Sequence, residues 1–197
     1  MARPREFDTT EAVEKAMQVF WQHGYEDASL PDLLDGMGLT RGSLYKAFQD
    51  KKNLFLLVLD QYESAAVDGA VSLLTNPEIP NGADRILLLF KGIVTAVEKG
   101  DHRGCLLCTA AAVSAANDPD IAAAVHGGLA KMQAAFLSAL SEAPALSHLD
   151  QARRLQLADT LLTQYFGLRM LARSRLPLGV LDHAVEGVAQ LLRDAAQ

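Results

Sequence analysis

The sequence predicts an all-α protein of about nine helices. Of its 197 residues, 63 are leucine or alanine, two of the strongest helix formers, and only 6% are aromatic. Apolar residues recur at spacings of three and four, and no segment alternates apolar and polar residues long enough to make a strand. Residues that favour helix caps stand just ahead of several of these periodic runs.

Asp8 followed by Glu11 is a capping-box arrangement, and Val13, Met17, Phe20 and Trp21 then share one helical face until Gly24. Ser29 with Asp32 caps a second, short helix whose first turn tolerates Pro31 and which ends at Gly36 to Gly38. Thr40 opens a third short helix carrying Arg41, Ser43, Leu44, Tyr45 and Phe48. Asp50 opens a fourth, predicted to run from Lys51 to about Leu74 with Leu54, Phe55, Val58, Tyr62 and Ala65 inward. The stretch 76–82, with two prolines and a terminal Asn-Gly, is the clearest break. Beyond it the periodicity predicts helices over 83–99, 105–116, 119–142, 150–175 and 179–195, the third of them opened by Asp118-Pro119. Leu33, Leu39, Leu44 and Phe48 are assigned to a small core.

Composition narrows the function. Apolar residues at 50% and charged ones at 21% fit a globular chain rather than a disordered one. The longest apolar stretch, Gly104 to Ala116, has about 13 residues, against the ~20 that cross a bilayer, so no membrane partner is expected. No apolar segment follows the charged N-terminus, so no signal peptide is predicted and the protein is expected in the cytoplasm. No nucleophile, base and orienter occur together in a motif, so neither catalytic residues nor a cofactor is expected. His102, Cys105 and Cys108 lack a visible fourth ligand, which argues against a metal site.

Two short helices joined by a glycine-containing turn, the second cationic and small at its leading edge (Gly42, Ser43), suit a helix-turn-helix. The first helix braces while the second enters a major groove about 12 Å wide. The run from Ser29 to Phe55 combines the turn glycine, Gly42-Ser43-Leu44-Tyr45, Phe48 and Lys51 in fixed order. It resembles the DNA-binding motif of the TetR family of transcriptional regulators, and Arg3 to Asp8 and Phe20 to Tyr25 extend the resemblance upstream. The resemblance implies a homodimeric regulator, most often a repressor, that binds a palindromic double-stranded operator. It also implies release by a small-molecule effector in a C-terminal helical bundle. On that basis residues 1–55 form the helix-turn-helix domain and 56–197 the ligand-binding and dimerisation domain. The sequence departs from the family pattern at Ala47, where many members carry His or Tyr, and at Met37.

Individual roles follow from chemistry. Ser29 and Thr40 stand at helix N-termini that favour phosphate, and the Tyr45 hydroxyl has the reach of one. Lys51 matches the family's phosphate-anchoring lysine. Arg41 suits bidentate pairing with guanine, Lys46 suits a base or a phosphate, and Arg3 and Arg5 suit an adjacent minor groove. The net charge of −6 opposes DNA binding only as an average. Residues 40–52 hold Arg41, Lys46, Lys51 and Lys52 against Asp50, a local balance of +3.

The last two helices carry apolar residues on more than one face, which a homodimer would cover. The residues expected there are Leu161, Gln164, Leu168 and Leu171, then Leu181, Val185, Val188 and Leu192. Polar or sulfur-bearing candidates for an effector site are Tyr62, Cys105, Cys108, Thr109 and His126, then Met132, Gln133, Thr163 and Tyr165. The Gly104-Cys105-Leu106 element resembles a TetR subgroup with electrophile-sensing and redox-sensing members. Cys105 and Cys108 lie at i and i+3 on a predicted helix N-terminus, where the dipole and Arg103 would favour thiolate; the alternative is a packing feature. A helical interaction protein without DNA binding would leave the Thr40 to Lys51 pattern unexplained.

Overall fold

Asp8 opens α1 (Thr9–Asp27) by accepting the Thr10 and Glu11 N–H groups at 2.8 and 3.2 Å, in a computed structural model that describes residues 7–197. The helical path breaks at Gly24 (φ 80°). Ser29 and Asp32 form the predicted capping box at the start of α2 (Leu30–Met37). Gly38 ends that helix in the left-handed region (φ 66°), letting the Leu39 N–H return to the Leu34 carbonyl at 3.0 Å. Thr40 caps α3 (Arg41–Phe48), and Asp50 caps α4 (Lys51–Tyr62) by accepting the Asn53 N–H at 2.8 Å. α4 continues through a π-helical turn (Glu63–Val67) into α5 (Asp68–Leu74), so the long fourth helix is present with one widened turn.

Five helices follow the break at 76–81. They are α6 (Gly82–Glu98), α7 (Leu106–Val113), α8 (Pro119–Ser141), α9 (Gln151–Arg173) and α10 (Leu178–Ala195). Their ends lie within three residues of the predicted ones because local chemistry sets them. Asn81, Asp118 and Asp150 each cap the next helix with a side-chain oxygen. Counting α4 and α5 as one helix, the described residues hold nine α-helices, a 3-10 turn at Pro144–Leu146 and no strand. No described helix is long and apolar enough to cross a membrane.

The described residues up to Ala65, with Thr109–Val125, form one compact unit, and Ala66–Cys108 with His126–Gln197 form another. In the first, α1 packs on α2 and α4. Phe20 meets Phe55 edge-on at 4.8 Å, and Leu33, Leu44, Phe48 and Leu54 are buried around them, while Leu39 is half-buried. In the second, α6 packs against α5, α9 and α10. Ile86, Phe90, Phe136 and Tyr165 fill its centre.

That packing bears on the residues expected at a dimer surface. Leu161, Leu168, Leu181, Val185, Val188 and Leu192 are buried inside the second unit's own core, and only Gln164 and Leu171 of the expected set are exposed. Periodicity had selected the strongest apolar stripe of each helix, and that stripe is spent on α6 and on the α9–α10 contact.

The start of α6 lies hard against the end of α8. A Cβ on Gly82 would sit 1.8 Å from the Ala139 carbonyl oxygen, and the Gly82 N–H donates to the Glu142 carbonyl at 3.2 Å. Because the obstacle is backbone, Gly82→Ala is expected to cost about 3 kcal/mol, the upper end of what overpacked cores show. A chemical denaturation curve unchanged by Gly82→Ala would contradict this close approach.

Candidate nucleic-acid interface

α3 divides cleanly into an inner and an outer face. Leu44 and Phe48 are buried, and Phe7 packs 6.2 Å from the Phe48 ring. Arg41, Gly42, Tyr45, Lys46 and Ala47 face solvent, with Ser43 half-buried. Thr40 Oγ1 accepts the Ser43 N–H at 3.2 Å and lies 2.9 Å from Ser43 Oγ, which fixes the first turn. The Arg41 guanidinium carbon stands 6.0 Å from the Tyr45 ring centroid, so the proposed base reader leans on the proposed phosphate contact. No atom lies within 4 Å of a Cβ built on Gly42, which leaves the leading edge low.

Chain reversal between α3 and α4 depends on a feature that periodicity does not reveal. Gln49 adopts φ 68° and ψ −58°, and the Asp50 N–H donates to the Phe48 carbonyl at 2.8 Å, a γ-turn centred on a residue with a side chain. Lys51 then folds back on the end of α1. Its Nζ donates to the Glu26 carbonyl at 3.0 Å and sits 4.9 Å from the Tyr25 ring centroid. Burial pushes the Lys51 ammonium below its ordinary pKa. An ammonium has three donors, so the Glu26 bond leaves capacity for a phosphate.

Two other groups are more fully committed. Ser29 bonds to the Asp32 carboxylate through both its N–H and its hydroxyl, holding the Asp32 pKa below its usual value. An acceptor already stands at the N-terminus of α2, where a Ser29 to phosphate contact was expected. Lys52, counted in the local positive balance, pairs with Asp118 at 2.9 Å and Asp120 at 2.6 Å, so the +3 overstates the charge left for DNA. The two aspartates raise the Lys52 pKa, and Lys52 in turn holds Asp118 low. Arg3 and Arg5 lie outside the described residues.

Residues 12–58, which hold α2, α3 and the start of α4, match the family described as bacterial regulatory proteins, tetR family. The HTH-type transcriptional regulator YezE of Bacillus subtilis (strain 168) is 30% identical over 144 residues, covering 73% of each protein. The chain belongs to the TetR family. The HTH-type transcriptional repressor ComR of Escherichia coli (strain K12) is 50% identical over 60 residues, a match spanning 30% of this TetR-family chain and 29% of ComR. Among solved structures, a cysteine mutant of the TetR-family regulator CifR, complexed with 26-bp operator DNA, aligns with a TM-score of 0.82. Its identity is 29%, over 95% of this chain and 98% of that one. This TetR-family regulator therefore carries its DNA-binding helix-turn-helix on α2 and α3.

Within its second unit the regulator has a recess of about 220 Å³ among α5, α6 and α9. Gly69, Ala70 and Leu73 line it from α5, Leu88, Leu89, Gly92 and Ile93 from α6, and Tyr165 and Arg169 from α9. Of the residues expected to bind an effector, Tyr165 alone lines this recess. Tyr62 packs edge-on against Trp21 at 5.5 Å in the first unit, which also contains Thr109. Met132 is core, His126 is exposed, Gln133 bonds Asp159, and the exposed Thr163 donates to the Asp159 carbonyl at 2.9 Å. Gly69, Gly92 and Arg169 line the recess without having been singled out from the sequence. The available signal was glycine inside two helices, where it costs helix stability unless space is needed.

The Gly-Cys-Leu element has a packing explanation. Gly104 sits at φ 75°, and a Cβ there would lie 2.9 Å from the Arg169 carbonyl oxygen of α9. Arg169 and Arg173 donate to the Gly104 and Arg103 carbonyls at 2.5 and 3.1 Å. Arg103 bonds Asp101 at 3.0 and 2.8 Å, holding that carboxyl down at about 2. Cys105 is buried, while a hydrogen bond to Cys105 followed by burial pushes the Cys108 thiol well above its ordinary pKa. The expected thiolate is thus disfavoured at Cys108, where neighbour and burial outweigh the helix dipole. Iodoacetamide at neutral pH is expected to label Cys108 more slowly in the folded chain than in a peptide spanning 101–110. Equal rates would contradict it.

Proposed function

We propose that this regulator is a homodimeric repressor that holds a palindromic operator until an effector in the α5, α6 and α9 recess shifts it to a state of lower DNA affinity. Residues 1–55 read DNA and 56–197 sense the effector and dimerise. The observation that carries the reading is the solvent face of α3, where Arg41, Tyr45 and Lys46 stand over a buried Leu44 and Phe48. Dimerisation is supported by exposed Met170, Leu171, Leu176, Leu178 and Val180, which place an apolar surface along the end of α9 and the start of α10.

Sequencing the genomic fragments retained by the purified protein tests the DNA function, and palindromic sequences shared among them are expected. With such a fragment, log affinity against log salt should fall steeply, by ~0.9 for each phosphate neutralised. Affinity indifferent to salt would sink the proposed contacts. A second reading, a switch through Cys105 and Cys108, is favoured by one observation: the two thiols lie within hydrogen-bonding reach of each other. Mass spectrometry after mild peroxide or quinone treatment decides it, since unmodified cysteines, or modification without release of DNA, exclude such a switch.

A further inference from the structure

Lys52 stands beside Lys51 in the first turn of α4, yet its charge is spent within the protein. Asp118 Oδ2 lies 2.9 Å and Asp120 Oδ2 2.6 Å from its Nζ, so two carboxylates meet one ammonium and leave a local net charge of 1 − 2 = −1. Both carboxylates have reasons to be there that do not involve Lys52. Asp118 uses its other oxygen, Oδ1, to accept the Asp120 and Ile121 N–H groups at 2.9 and 3.3 Å. Asp120 stands in the first turn of α8, where the helix dipole favours an acidic side chain. Lys52 differs, because its ammonium rides on a flexible four-carbon stem and a third of the side chain (34%) is open to water. The arrangement is a fixed acidic pair holding a movable cation.

Resting on the regulator proposed above, we infer that Lys52 is a masked phosphate contact, withheld from DNA by Asp118 and Asp120 at the start of α8. The mask is a brake on binding. Counterions released from phosphates by protein cations supply most sequence-independent affinity for a duplex, and a cation already matched by carboxylates releases none. The surplus carboxylate adds repulsion toward any phosphate within a Debye length, about 8–10 Å at ordinary salt. Masking prevails over exchange because two carboxylates compete against a phosphate's single charge, and they belong to the same chain, which keeps their effective concentration high.

The test measures affinity of the full-length protein for a fluorescent duplex of arbitrary sequence, by anisotropy between about 0.05 and 0.2 M salt. Asp118→Asn with Asp120→Asn removes both charges and leaves at position 118 a residue that still caps a helix. This double variant is expected to bind about fivefold or more tightly at the lowest salt. Its slope of log affinity against log salt should steepen by ~0.9 for each Lys52 freed. Adding Lys52→Gln should return the slope to that of the unaltered protein, which loss of negative charge alone would not do. Asp120→Asn by itself keeps the Asp118 cap and leaves one carboxylate on Lys52, so a smaller gain of the same sign is expected even if the double variant loses helicity. An unchanged slope, weaker binding in the asparagine variants, or a gain that survives Lys52→Gln overturns the inference. The two levels separate cleanly. Duplex bound with no Lys52-dependent gain overturns the mask alone, whereas unaltered protein that binds no duplex overturns the regulator reading beneath it.

Discussion

Replacing Arg85 with methionine is expected to lower the unfolding free energy by about 3–5 kcal/mol, as a shifted denaturation midpoint. Arg85 is only 1% exposed, and its guanidinium joins four acceptors from separate parts of the chain. It donates to the carbonyls of Ile79 at 2.6 Å, Leu74 at 3.2 Å and Pro80 at 3.4 Å, and to the Glu142 carboxylate at 2.9 Å. These bonds bind the end of α5 and the 76–81 connection to the end of α8. Two contributions compete for the explanation. Glu142 is 49% exposed, so its ion pair is screened and its carboxylate returns to water when Arg85 is lost, a contribution of about 0–1 kcal/mol. The Leu74 carbonyl is buried and those of Ile79 and Pro80 partly so, and a buried acceptor left unpaired costs about 1–3 kcal/mol. Glu142→Gln should therefore be mild where Arg85→Met is severe. Equal effects would mean that the ion pair, not the carbonyl clamp, holds this junction.

The second large effect concerns DNA. Arg41→Ala should cost about 1–3 kcal/mol per half-site and relax base preference at one operator position, because it deletes a bidentate donor. Tyr45→Ala should weaken binding across sequences and also release Arg41, whose guanidinium lies against the Tyr45 ring. The two effects are therefore expected to be less than additive. Both side chains are exposed, so helicity and dimerisation should survive. Measured on genomic fragments retained by the unaltered protein, full affinity in the double substitution would remove α3 from the interface.

Helix positions were legible because caps and periodicity are local. Asp8, Ser29, Thr40, Asp50 and Asp118 each accept a backbone N–H two or three residues on, which proximity along the chain enforces. The outer face of α3 was legible for the same reason: once Leu44 and Phe48 turn inward, helical geometry sends Arg41 and Tyr45 outward. What escaped were pairings between distant segments. Lys52 looked like a spare cation until Asp118 and Asp120 reached it, and α9, through Arg169 and Arg173, met the carbonyls of Gly104 and Arg103. The recess among α5, α6 and α9 also escaped, because glycines at 69 and 92 and the packing of distant helices shape it.

Residue order alone thus specified an all-helical chain with a helix-turn-helix near its start and an acidic total charge masking a local cationic cluster, since each depends on neighbours within a few residues. Folding in three dimensions allocated the faces. It turned the main apolar stripes of α9 and α10 inward onto α6 and left Met170, Leu171 and Val180 exposed. It also neutralised one cation of the cluster and opened the recess. The physical reason is range. Capping and helical period act over one or two turns, whereas burial, ion pairing and cavity shape depend on which distant segments meet.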